Sequence, residues 1–192
     1  MKKDLIETSS ANGTGVNEEI VVGTIEVEEL ARAIQSQRKL TNLLDGSSSS
    51  FIIVDVRDVD HKGEHIVGSR NIPYFNKEKA LNLLREIQLY NKSIEDSGQD
   101  EEGMREKLIK TVIFHCFYCT IRGPQAAQLF SQVLTSIKKE TVDANASFDS
   151  IKDLKVKYLS GGWAKWKQTY SKKNPSLIQQ SIPTSTSSSK KK

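Results

Sequence analysis

Cys116 and Arg122 bracket five residues, Phe117, Tyr118, Cys119, Thr120 and Ile121, within the stretch Thr111–Pro124. A thiol and a guanidinium at that spacing suit chemistry on a tetrahedral oxyanion, provided the residues between them curl into a ring. The flanks predict that they do. The apolar, β-branched run Thr111, Val112, Ile113 and Phe114 reads as a strand ending at His115, and Arg122 is followed by Gly123, Pro124 and a helix-patterned segment. The loop thus joins a strand end to a helix N-terminus, where backbone N–H groups lack partners and the helix dipole favours negative charge. Those amides, the dipole and Arg122 all favour the thiolate of Cys116, the form in which sulfur is a nucleophile. The same donors can hold the oxygens of a tetrahedral anion, with Arg122 offering a bidentate fork. In-line attack by sulfur on phosphorus or arsenic is the reaction this suggests. A shorter loop would suit a smaller guest such as a persulfide.

The chain has two cysteines, and both lie in this loop. Cys119 could close a disulfide with Cys116, protecting the thiolate or resolving an intermediate, or could simply fill the place of a small serine. A zinc site is not expected, because Cys116, Cys119 and His115 are crowded and no second pair of ligands appears. Cys116-x-x-Cys119 after a strand also admits a thioredoxin-like oxidoreductase. Arg122–Gly123–Pro124 argues against it, since the helix pattern starts only after Pro124. His115 is expected to pack beneath the loop. Asp55, Arg57 and His65 read as a buried polar network tying a second loop under the sheet.

The elements that must hold this loop follow in order along the chain. Ile20–Ile25 reads as a strand, and Val27, Leu30, Ala31 and Ile34 recur behind it at helical spacing. A polar stretch, Asp45–Ser50, reads as an inserted loop. Phe51–Val56, interrupted only by Asp55, suits a central parallel strand covered on both faces. From Arg57 to Pro73 turn residues dominate, and a loop is expected throughout. Lys77–Tyr90 reads as a helix and Ile94–Gly103 as an acidic, solvated loop. Ala126, Ala127, Phe130, Val133, Leu134 and Ile137 mark one face of a long helix. Val156–Leu159 reads as a strand, and after Gly161–Gly162 the residues Trp163, Trp166 and Tyr170 mark a last helix. Strands alternating with helices predict an α/β fold, a central parallel sheet with helices on both faces. The expected organisation is a disordered leader over residues 1–18, one catalytic domain over 19–173 and a disordered Ser/Thr/Lys-rich tail over 174–192.

Composition narrows the function classes. With 36% hydrophobic residues and a mean hydropathy of −0.48, and no apolar run near the length of a membrane span, no membrane association is expected. Met1–Lys2–Lys3–Asp4 does not open a signal peptide, so a cytoplasmic or nuclear location is expected. The net charge of +4 comes largely from the ends, and lysines are spread along the chain rather than clustered with aromatics. No nucleic-acid partner is expected.

Four motifs, in order, carry a resemblance: Asp55–Val56–Arg57; Gly63–Glu64–His65–Ile66–Val67–Gly68–Ser69 with Asn71–Ile72–Pro73; His115–Cys116 with Arg122–Gly123–Pro124; and Gly161–Gly162–Trp163 with Trp166. Together they resemble the rhodanese-fold family that includes the cell-division-cycle-type dual-specificity phosphatases and the eukaryotic arsenate reductases. The resemblance covers most of Ile20–Tyr170. It implies a rhodanese-like fold, Cys116 as nucleophile, Arg122 as oxyanion ligand and the amides of residues 117–122 as the remainder of the cradle. Sulfurtransferases of this fold have a loop one residue shorter, so that activity is not expected.

Three positions depart from the family pattern. Cys119 stands where serine is usual, Ile121 where the cell-cycle phosphatases carry a glutamate proposed as proton donor, and Glu64 where a second glycine is usual. Without an acid in the loop, expelling a poor alkoxide leaving group loses a contribution of roughly 10²–10⁴-fold. Arsenate needs less help, because a thiol such as glutathione can resolve the cysteine adduct. The expectation is therefore arsenate reduction to arsenite, with no bound cofactor and with glutathione and glutaredoxin as reductant and partner. The alternative is a phosphatase acting on protein or aryl phosphates, and a further alternative is a catalytically silent binding module.

Overall fold

The computed structural model describes residues 20–44, 50–98, 100, 107–143 and 149–181. The leader read over residues 1–18, most of the polar loop at 45–50 and the last part of the tail lie outside them. In chain order the elements are β1 (Val22–Ile25), α1 (Val27–Leu44), β2 (Phe51–Asp55), β3 (Glu64–Ile66), β4 (Ser69–Asn71), α2 (Lys77–Glu95), β5 (Thr111–His115), α3 (Arg122–Asp143), β6 (Lys155–Leu159), α4 (Gly162–Tyr170) and β7 (Ile178–Gln180).

Five strands form one sheet in the order β1-β6-β5-β2-β4, and all its pairs are parallel. Because successive side chains of a strand point to opposite faces, β5 feeds two cores at once. Val112 and Phe114 face a cluster that includes Leu83, Leu84 and Ile87 of α2 and Ala127, Phe130 and Leu134 of α3. Ile113 faces the other side, with Leu30 and Ile34 of α1 and Trp163 and Trp166 of α4. The parallel sheet with helices on both faces is therefore the observed architecture. In the register, Asp55 lies opposite His115, and Asn71 lies opposite Asp55. The loops leaving β2 and β5 thus emerge side by side at the carboxyl edge of the sheet, where ligands of open parallel sheets are bound.

Four regions differ from the sequence reading, the last of them the end of α2. Residues 57–73 hold two three-residue strands rather than continuous loop. Residues 174–181 are ordered, which corrects the expectation of a disordered tail from 174 onward. A 3₁₀ turn at Pro175–Leu177 leads into β7, which pairs antiparallel with β3, Ile178 opposite Ile66 and Gln180 opposite Glu64. The physical reason is one side chain in a polar composition. Leu177 is fully buried in the core beside Trp166, and the indole Nε1–H of Trp166 donates to the Leu177 carbonyl at 3.3 Å. Third, α3 begins at Arg122 rather than after Pro124. Pro124 is tolerated there because first-turn N–H groups have no partner inside the helix.

α2 opens on Asn76, whose side chain accepts from the Lys79 N–H at 3.0 Å, and runs to Glu95, past the expected end at Tyr90. Buried Asn91 explains part of the extension. Its amide donates to the carbonyls of Ile109 and Ser150 at 3.0 and 2.7 Å and accepts from the Ile109 N–H at 2.8 Å, which ties α2 to the segment entering β5. Among the described residues, no helix is long and apolar enough to cross a membrane.

Candidate active site

Cys116 follows directly on the last residue of β5, and its sulfur is enclosed by backbone. Sγ accepts the N–H of Cys119 at 3.2 Å and that of Gly123 at 3.3 Å, while the N–H of Cys116 donates to Cys119 Sγ at 3.3 Å. The loop is pinned from the other side by the first turn of α4. There the N–H groups of Trp163 and Ala164 donate to the carbonyls of Cys116 and Phe117 at 2.9 and 2.8 Å. This close approach requires glycine at 162, since a Cβ would stand 2.5 Å from the Cys116 carbonyl oxygen, and φ is +57°. A Cβ on Gly123 would likewise stand 2.4 Å from Cys119 Sγ. Cys119 itself takes a left-handed conformation, φ +55°, which turns its N–H inward.

The consequence is electrostatic. The Cys116 thiol is pushed down to about 6, chiefly by the hydrogen bond from the Cys119 thiol, then by the amides of Gly123 and Cys119 and by Arg122, against the opposing effect of burial. Cys119 is pushed far up, because it is the donor in that bond and is buried. One thiolate and one thiol therefore share the loop at neutral pH. Alkylation of Cys116 by iodoacetamide should accordingly rise with pH through a midpoint near 6. Cys119→Ala should move the midpoint upward, whereas Cys119→Ser, which keeps a donor, should hold it. An unmoved profile in the alanine protein would show that the amides alone hold the charge.

The other loop residues splay outward. Phe117 packs against the Ile113 side of the core and meets Tyr118 edge to face at 4.7 Å, while Tyr118, Thr120 and Ile121 are exposed. Arg122 does not stand free at the rim. Its Nη1 donates to Asp58 Oδ1 at 3.0 Å and Asp60 Oδ1 at 2.9 Å, and its Nη2 donates to Asp60 Oδ2. Asp60 is held far below the ordinary carboxylate range, mainly by that hydrogen bond, and Arg122 is raised in return. In the sequence Asp58 and Asp60 read only as residues of a turn-rich loop. Nothing in their neighbourhood signals a partner more than sixty positions away, and the only hint was two carboxylates one residue apart in a loop following a central strand.

Beneath the cradle lies the expected polar network. Asp55 is fully buried and accepts from the backbone N–H of Arg57 at 3.0 Å and from its guanidinium at 2.6–3.0 Å. Arg57 donates onward to the Glu64 carbonyl at 2.8 Å and lies 4.7 Å over the Trp163 ring. Burial would raise the Asp55 carboxyl, but His115 and Arg57 hold it below the usual range. His115 is buried with Nε2 3.7 Å from Asp55 Oδ2, and burial pushes it down to about 4, so the ring is neutral at pH 7. His65 is set apart from this pair. Its Nδ1 faces the Gly63 carbonyl at 3.1 Å and the Ser181 hydroxyl at 3.3 Å, and the sequence reading missed the ring between them, His61, stacked on His65 and 3.7 Å from Asp55.

A parallel α/β sheet with a cysteine at the carboxyl end of its central strand, cradled at the start of the next helix, is the arrangement of a class of cysteine-dependent enzymes. The chain belongs to the rhodanese-like family: the Rhodanese-like domain matches residues 36–169. Its chemistry is the cysteine-dependent chemistry of that family. Among curated relatives, the dual specificity phosphatase ibp1 of Schizosaccharomyces pombe is 30% identical over 128 residues, 65% of this chain and 80% of the relative. Two solved structures are similar to this chain, the first of them in fold. Ygr203w, a yeast protein tyrosine phosphatase of the Rhodanese family, superposes with a TM-score of 0.51 at 22% identity, covering 84% of this chain and 94% of that one. An As-Sb reductase from Leishmania major gives a TM-score of 0.48 at 20% identity, covering 82% and 85%.

Proposed function

We propose that this chain is a cysteine-dependent phosphatase that hydrolyses phosphate monoesters whose alcohol is aromatic or apolar, with Cys116 as nucleophile and Arg122 as oxyanion ligand. The observation that carries the reading is the rim of the cradle. Val59, Tyr74, Tyr118 and Ile121 are four of six large apolar side chains that stand exposed among the described residues. Tyr118 and Ile121 lie on the loop that leads to Arg122, Val59 lies between Asp58 and Asp60, which bind it, and Tyr74 lines a cleft with it. Tyr74, at φ +50°, also walls a cleft of about 350 Å³ shared with Phe75, Asp58, Arg122 and Gln125. An inorganic anion has no use for such a border, whereas an ester presents an organic group to it. The 30% identity to a dual specificity phosphatase supports the same reading.

In this mechanism the Cys116 thiolate attacks phosphorus in line with the ester oxygen. The S–P bond forms as the P–O bond breaks, and the ester oxygen leaves as the alcohol, taking its proton from solvent. Water then attacks the phosphocysteine, releasing inorganic phosphate and regenerating the thiolate. No residue from 117 to 121 is an acid, so the first step should favour aryl esters, whose leaving groups need least protonation. Arsenate reduction with glutathione and glutaredoxin is the second reading. It is favoured by Cys119, which places another sulfur on the one that would carry arsenic.

The discriminating assay sets p-nitrophenyl phosphate and a phosphotyrosine peptide with apolar flanks against arsenate with glutathione and glutaredoxin. Release of phosphate is expected, with a lower KM for the apolar peptide than for one with acidic flanks. Arsenite formation without phosphate release from either ester would reverse the order of the two readings.

A further inference from the structure

We propose that Asp60 is a positioning residue that holds Arg122 by the outer edge of its guanidinium, so that the inner edge is presented to the bound oxyanion. The proposal rests on the reading of Arg122 as oxyanion ligand and concerns how that ligand is aimed. A guanidinium has five N–H donors in a rigid plane. Asp60 takes one donor on Nη1 and one on Nη2, and Asp58 takes the second on Nη1. The donors left over are Nε–H and one N–H of Nη2. These two lie side by side and parallel, the pair that two oxygens of a phosphate or arsenate accept.

The carboxylate is itself fixed. The N–H of Asp58 donates to Asp60 Oδ1 at 3.1 Å, the N–H of Val59 donates to Asp58 Oδ1 at 2.7 Å, and the N–H of His61 donates to the Asp58 carbonyl at 3.0 Å. Arg57 and Asp55 anchor the start of this turn in the core. The long arginine side chain, 40% exposed, is thereby held in one orientation before the anion arrives, which removes an ordering cost from binding.

A carboxylate beside an anion site also repels the anion, and the two effects have opposite signs. Positioning predicts weaker anion binding when Asp60 is removed, whereas a repelling guard predicts tighter binding. The two are separated by protection of Cys116 from iodoacetamide by tungstate, a tetrahedral oxyanion, in full-length wild-type protein, Asp60→Ala and Asp60→Asn. Asp60→Ala should need about tenfold more tungstate for half protection. Asp60→Asn, which keeps one acceptor and loses the charge, should need about threefold more. The pH midpoint of alkylation should stay near that of the wild type in both, because Arg122 is the least of the influences on Cys116. Equal or tighter tungstate binding in either variant would overturn the proposal, as would weaker binding accompanied by a displaced midpoint, the mark of a collapsed cradle. If tungstate fails to protect the wild-type protein, the oxyanion reading of the cradle falls and the role of Asp60 falls with it.

Discussion

Cys116→Ser should lower turnover of an aryl phosphate by roughly 10⁴-fold or more while leaving the fold and tungstate binding in place. The reason lies in how the loop treats the side-chain atom. Two amides point at Sγ, and the neighbouring Cys119 thiol favours its charge further. Together they bring a thiol to about 6, so the wild-type nucleophile is predominantly ionised at pH 7. A serine hydroxyl starts so much higher that the same donors leave it neutral. It can still accept the N–H groups of Cys119 and Gly123, so nothing in the loop is left unsatisfied. Arg122, Asp58 and Asp60 are untouched. Loss of turnover should therefore come with an unchanged unfolding midpoint and with tungstate affinity, measured by titration calorimetry, within about threefold of wild type. Retention of more than a few per cent of the activity would mean that sulfur is not the nucleophile. The reading of the whole loop would then have to be abandoned, including the assignment of Cys119 as a donor to a thiolate.

Local and long-range features of this chain differ in how far its sequence reveals them. The cradle was legible because it is local: Cys116, the five intervening residues, Arg122 and Gly123 are contiguous, and the strand and helix that bracket them have strong periodicities. The two-sided core was legible for the same reason, since Val112, Ile113 and Phe114 form an unbroken apolar run that only a strand covered on both faces would need. What escaped is long-range. Asp58 and Asp60 look like any turn carboxylates until β2 and β5 pair in register and bring the two loops together. β3 and β7 are three residues each, too short to carry a period, and each exists because the other supplies its hydrogen bonds. Leu177 was concealed by the polar residues around it. Composition averages a window, whereas a buried side chain acts singly. The departure at Cys119 was visible in the sequence, but its effect on Cys116 depends on the left-handed turn, which one chain's letters do not reveal.

The network below the loop yields the largest stability effect. Arg57→Leu should destabilise the protein by about 3–5 kcal/mol at pH 7, because it takes from the buried Asp55 carboxylate its guanidinium partner and leaves it facing the neutral His115 ring. Both side chains are almost wholly buried, and the guanidinium supplies side-chain hydrogen bonds to both Asp55 oxygens as well as one to the Glu64 carbonyl. Leucine would fill part of the space over Trp163 but satisfy none of those acceptors. Removing both charges is a different matter. Asp55→Leu together with Arg57→Leu should recover a good part of the loss, since a buried pair costs desolvation that an apolar pair does not. Urea unfolding of the three proteins measures this directly. The pH dependence supplies an independent check. The folded-state carboxyl of Asp55 lies below its ordinary value, so its stabilising contribution is present above about pH 4 and lost as pH falls through the depressed folded value. In Arg57→Leu the guanidinium's share of that lowering is lost while burial still raises the carboxyl and His115 still faces it, so Asp55 protonates at a higher pH than in the wild type, which relieves the penalty as pH falls. The stability gap between wild type and Arg57→Leu should therefore be widest at neutral pH and narrow toward pH 4. A gap that stays constant over that range would assign the cost to lost packing over Trp163 rather than to a carboxylate without its guanidinium partner.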